Sequence, residues 1–223
     1  DTMANRMLAA IGGPAPWSKL AVLVNDSCQY RLDAPTVVRT VISLDLRQPR
    51  FRIETWAPGL RLIRVVDGDR RWYAGHVYRT IHRIAARDPA LRLAVGADDT
   101  LEVHESETRI AWFRLDARGE PYAFGGIDDD EGSISGPWTY AGGGVKHPAW
   151  VARRDASLRS VLLRLESPDA LPESATRQPD SPDQPRGPEV SASVCHSSMQ
   201  SFGSAAPASP AHARCGASVA SDT

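Results

Sequence analysis

The sequence predicts an α+β fold. It should contain a curved antiparallel sheet of half-barrel type, one N-terminal helix, one inserted helix and a disordered C-terminal tail. Three observations carry this. Residues 37–67 alternate apolar and polar side chains over unusually long runs, the period of strands with one buried face. One segment, Trp72–Arg87, switches to helical periodicity. After Glu166 the composition shifts to Pro, Ser and Ala, with Phe202 the one aromatic left. The domain boundaries are accordingly set at 1–166 for the sheet domain and 167–223 for the tail.

Residues Thr2–Ile11 are good helix formers, with Met3, Met7, Leu8 and Ile11 near helical spacing. Gly12-Gly13-Pro14 stops that helix, and Trp17 and Leu20 lead toward the sheet. The first strand covers Leu20–Val24 and extends toward Arg31, ahead of a turn at Asp33-Ala34-Pro35. In the next run Val38, Thr40, Ile42, Leu44 and Leu46 share one face, while Arg39, Ser43 and Asp45 share the other. Val37–Leu46 extended would span about 33 Å at about 3.3 Å per residue, longer than an ordinary strand. Long neighbours joined by short turns, here Arg47-Gln48-Pro49 and Pro58-Gly59, suit a strongly curved sheet or barrel.

The helix at Trp72–Arg87 carries Tyr73, Val77, Ile81, Ile84 and Ala85 on one stripe and Arg79, Arg83 and Arg87 on another. Asp88-Pro89 ends it. Strands resume at Leu91–Val95, Leu101–His104 and Arg109–Leu115. Shorter ones follow at Tyr122–Phe124, Ser133–Tyr140, Lys146–Val151 and Leu158–Leu165. Arg109–Leu115 is apolar on both faces, as a strand covered on both sides would be. Tail sequences such as PDSPDQPRGPE bury too little apolar surface to offset the entropy of ordering.

Composition excludes several functions. The 223 residues are 42% hydrophobic, and the formal net charge is -1. That balance gives no reason to expect nucleic-acid binding, which needs a concentrated basic surface. No stretch reaches the roughly 18 apolar residues of a membrane span. The chain opens with Asp1 rather than Met, as a mature form or a fragment would. Cys28, Cys195 and Cys215 form no CxxC pair and read as free thiols, although a Cys195–Cys215 bridge would be open to them in an oxidising compartment.

No catalytic or metal motif stands out, and no cofactor is implied. His76 and His82 lie six residues apart on different helix faces, and His104 and His147 are isolated in strands. Asp128-Asp129-Asp130-Glu131 lacks the spacing of a calcium loop, with Ser133 where the glycine should stand, and reads as a solvated hairpin turn. Gly132-Ser133-Ile134-Ser135-Gly136 places Ile where a nucleophile elbow needs Ser. Gly142-Gly143-Gly144 lacks the Lys and the helix of a phosphate loop.

The segment MLAAIGG with Trp17, the strand FRIETWAPGLRLIRVVDG and the aromatic strand IAWFRLD together resemble the LolA/LppX-like superfamily of bacterial periplasmic proteins, over roughly Met7–Glu166. The short segment Gly68–Trp72 departs from that pattern. The resemblance implies a half-barrel closed by helices, a periplasmic or envelope location, and noncatalytic carriage of a lipid or lipoprotein acyl chain. Candidate lining residues are Ile42, Leu44, Phe51, Ile53, Leu62, Trp112 and Phe113. Two alternatives stay open. One is a small enzyme using His104, Glu102 or Asp45 in a polar cavity. The other is an envelope interaction protein, contacting a partner or a membrane surface through the Arg79 stripe.

Overall fold

The computed structural model describes residues 2–31, 37–57, 60–67, 73–127, 129–154 and 158–171. The expected turn at Asp33-Ala34-Pro35, the Pro58-Gly59 turn, the Gly68–Trp72 segment and the tail beyond residue 171 lie outside these. Within them the chain is mostly antiparallel sheet with few helices. Two helices open it, α1 (Thr2–Ala10) and α2 (Pro14–Lys19). Four long strands follow: β1 (Val22–Arg31), β2 (Val37–Asp45), β3 (Arg50–Ala57) and β4 (Leu60–Asp67). After α3 (Tyr73–Ala85) come β5 (Leu91–Val95), β6 (Thr100–Glu105), β7 (Thr108–Leu115), β8 (Pro121–Gly125) and β9 (Ser133–Ser135). The last strands are β10 (Trp138–Gly142), β11 (Val145–Pro148), β12 (Trp150–Arg153) and β13 (Leu158–Glu166).

Eleven strands form one open sheet, in the order β4-β3-β2-β1-β13-β12-β9-β8-β7-β6-β5. The last strand, β13, pairs with the first, so the sheet's two halves are stitched together at its centre. β10 and β11 form a separate hairpin. Three expectations are refined. The approach through Trp17 is a helix of its own, because Pro14 presets the backbone at a helical first position. Ser133–Tyr140 is interrupted at Gly136-Pro137, and Lys146–Val151 at Ala149, directly after Pro148. Proline cannot donate to a ladder, and each break lets the chain leave the sheet for the hairpin and return.

Alternation assigns the two faces. Leu23, Leu44, Phe51, Leu101, Val103, Phe113 and Phe124 join one core with Met7, Leu8, Ile11, Trp17, Val77, Ile81 and Ile84 of the helical segments, and with Trp138 and Val145 of the hairpin. The helices and the hairpin therefore cover the same face of the sheet, here the core face. The pieces interlock through buried hydrogen bonds. Trp17 Nε1 donates to the Ile11 carbonyl at 3.0 Å, and His82 Nδ1 to the Trp17 carbonyl at 2.8 Å. The Lys146 amide donates to the Ile11 carbonyl at 2.9 Å. Gly12 is required where α1 meets the hairpin. Its φ is +116°, and a Cβ there would stand 2.6 Å from the Gly144 carbonyl oxygen.

The outer face is polar along β1–β3. Arg39 grips Asp26 with two hydrogen bonds, 2.8 and 2.5 Å. Glu54 accepts from Arg52 at 2.8 Å and Arg61 at 2.7 Å. Arg39 and Arg61 sit over the Trp56 ring. Burial alone would raise the Glu54 pKa, but the bonds from Arg61 and Arg52 outweigh it and hold the carboxyl below its ordinary value. Cys28, also on this face and fully buried, is disulfide-bonded rather than a free thiol.

Candidate functional site

Side chains from the sheet, α3 and the β10–β11 hairpin enclose a cavity of about 190 Å³. The sheet supplies its wall through four core-facing residues of β1, Leu23, Asn25, Ser27 and Gln29. Neighbouring strands add Ile42 and Leu44 from β2 and Leu158, Ser160 and Leu162 from β13. Register makes these one surface: Leu23 faces Leu44, Asn25 faces Ile42, and Ser27 faces Leu162. Val77 and Tyr78 descend from α3, His147 and Pro148 from the hairpin, and Phe124, Ser133, Val151 and Arg153 complete the rim.

One polar cluster joins all three layers. The His147 Nδ1 hydrogen is donated to the Pro148 carbonyl at 2.7 Å. Nε2 is therefore the acceptor, receiving the Tyr78 hydroxyl at 2.5 Å and Asn25 Nδ2 at 2.9 Å. The Tyr78 and His147 rings stack with centroids 5.1 Å apart. Burial pushes the His147 pKa down to about 4, against the smaller opposing effect of the Pro148 bond. Burial likewise pushes Tyr78 beyond its ordinary range. Both groups are neutral around pH 7. The cluster is a satisfied polar pivot, with each hydrogen-bonding ring atom of His147 engaged.

The structure distributes the expected lining residues. Ile42 and Leu44 are in the cavity wall. Ile53 lies across from Ile42 and is half-buried against the core. Phe51 and Phe113 belong to the packed core. Leu62 stands 51% exposed on β4. Trp112 is on the outer face, opposite Glu102, where the chain's own loop covers it. Its Nε1 donates to the Asp129 carbonyl at 2.7 Å, and a Cβ at Gly125 or Gly132 would collide with the indole. Asp129, read as part of a solvated turn, is instead buried, with a carboxylate oxygen accepting the Gly132 amide at 2.9 Å. Asp128 lies outside the described residues.

The residues considered for catalysis are on the outer face. His104 and Glu102 pair with each other at 3.1 Å, on the side of β6 opposite Leu101 and Val103. Asp45 caps a turn by accepting the Arg47 and Gln48 amides. The arginine stripe of α3 is not a free basic face, because Arg83 is bound to Asp88 at 2.7 Å and to Glu105 at 2.6 Å. Among the described residues no helix is long and apolar enough to cross a membrane.

Asn25, Tyr78 and Arg153 are not singled out by the sequence, and His147 reads from it only as an isolated strand histidine. Alternation places Asn25, Ser27 and Gln29 on one side of β1 but does not say that this side faces inward. Nothing local to His147 announces contacts 69 and 122 residues away in the chain. No family model matches the chain, and no curated protein matches it either.

Proposed function

We propose that this protein binds an apolar or amphiphilic ligand, a lipid or an acyl chain, in the core-face cavity and carries it without chemical change. The observation that carries this reading is the cavity itself. Its walls include Leu23, Ile42, Leu44, Val77, Phe124 and Leu162, and their desolvation by an acyl chain would contribute about 25 cal/mol per Å² buried. In this reading the open sheet is the curved half-barrel of LolA/LppX-like carriers, α3 and the hairpin are its cover, and the location is periplasmic or elsewhere in the envelope. The disulfide of Cys28 suits such an oxidising compartment. The neutral His147 pivot also favours carriage over catalysis, since both its ring nitrogens are engaged within the protein.

The test is direct titration. Delipidated protein mixed with a fluorescent fatty-acid analogue should show saturable binding, displaced by unlabelled fatty acid. No binding at high micromolar protein would overturn the proposal.

A further inference from the structure

The cavity is not uniform along its length. Gln29 lies six positions after Leu23 on β1, about 20 Å of strand. At the Leu23 end the neighbour across the β1–β2 pair is Leu44. At the other end the apolar Val151, Leu158 and Phe124 are joined by polar residues. Gln29 faces Ser160 across the β1–β13 pair, and Arg153 faces Ser133 across the β12–β9 pair. All four line the cavity.

Arg153 is the one charged residue among those that line the cavity. Arg39, Arg52, Arg61, Arg83 and Arg109 are each tied to a carboxylate. Arg153 is solvent-exposed at the rim and has no ion pair among the described residues. A guanidinium stays charged at any physiological pH and offers five donors suited to carboxylate or phosphate. The cavity's 190 Å³ falls below the roughly 300–1,000 Å³ of sites for drug-sized ligands. That room suits one linear chain and not the several chains of a multiply acylated lipid.

Building on the carrier reading above, we propose that the ligand is a single-chain amphiphile with an anionic headgroup. The chain lies along β1 toward Leu23 and Leu44. The headgroup sits at the polar end, against Arg153, with the Ser133 and Ser160 hydroxyls as further donors. His147, Tyr78 and Asn25 satisfy one another and form the polar side of the channel midway.

The experiment is competition for a fluorescent fatty-acid probe on full-length delipidated protein. Three competitors of equal chain length are used: a fatty acid, a monoacyl phosphate and the uncharged fatty alcohol. The expected result is that at least one anion competes about tenfold more tightly than the alcohol, as a hydrogen-bonded charge contact should give. Whichever anion competes better identifies the headgroup chemistry. Arg153→Gln should erase the anion advantage and leave alcohol affinity unchanged; Arg153→Lys should restore part of it. Equal competition by acid, phosphate and alcohol, or an anion preference that survives Arg153→Gln, would overturn the headgroup assignment while leaving the carrier reading intact. Failure of the probe itself to bind would overturn both.

Discussion

Strands β6–β8 and strands β2–β4 belong to one sheet and turn the same face toward the helices, yet they are covered unequally. In the first group both faces are largely covered. Leu101, Val103, Ala111 and Phe113 are fully buried in the core, and Trp112 on the far side is capped by the loop ending at Gly132. In the second group Ile42 and Ile53 are half-buried, and Leu60 and Leu62 are 61% and 51% exposed. The core-face covering thins away from β6–β8, and the cavity sits where dense packing gives way, at β1 and β13. An apolar face without a tight cover is what separates a binding wall from a core.

That difference has a measurable consequence in stability. Phe113→Ala, at a fully buried site, should cost about 3–5 kcal/mol in denaturant unfolding. Leu62→Ala should change stability by no more than about 0.5 kcal/mol, as at ordinary surface positions. Similar losses at both positions would mean that β4 is covered after all.

The boundary between the halves should be sensitive to acid. His147 has an ordinary pKa of 6.5, lowered to about 4 in the fold. Unfolded chains take up a proton near pH 6.5, and the folded protein does not until about pH 4. Stability should therefore fall as pH drops through that window, by about 3 kcal/mol in all, and change no further through this group below it. His147→Gln should flatten that part of the profile. Retention of the full slope in the variant would assign it to other groups.

The junction of α1 with the hairpin should respond next. Gly12→Ala places a Cβ against the Gly144 carbonyl at a positive φ, and the expected loss is about 1–3 kcal/mol by thermal or urea unfolding. The outer-face network of β2–β4 should matter least. Glu54→Gln loosens Arg52 and Arg61 but acts on partly exposed pairs. Its cost should stay at or below about 1 kcal/mol and shrink with added salt.

Most of the sheet was legible because its signal is local. The alternation from Val38 to Leu46, and the apolar stripe from Val77 to Ala85, each report a buried face without reference to the rest of the chain. The candidate site was not legible, for a physical reason. Periodicity says which residues share a face, so Ile42 and Leu44 could be grouped, but Trp112 and Phe113 required knowing what covers each side of β7. The pivot at His147 depends on strand order and hairpin placement, which bring Asn25, Tyr78 and His147 together from distant parts of the chain. The short helix at Pro14 did carry a local signal, a proline directly after two glycines, which reads equally well as the end of the preceding helix.

The central claim is that the thinly covered zone of the core face is a ligand site. The most direct test is Val151→Trp. Val151 is a half-buried residue of the cavity wall, where an indole would occupy the space without displacing packed core. The account predicts a folded protein with a melting midpoint near that of the parent and fatty-acid probe affinity reduced at least about tenfold, the weight of roughly 1.4 kcal/mol. A folded variant that binds the probe as tightly as the parent would contradict it.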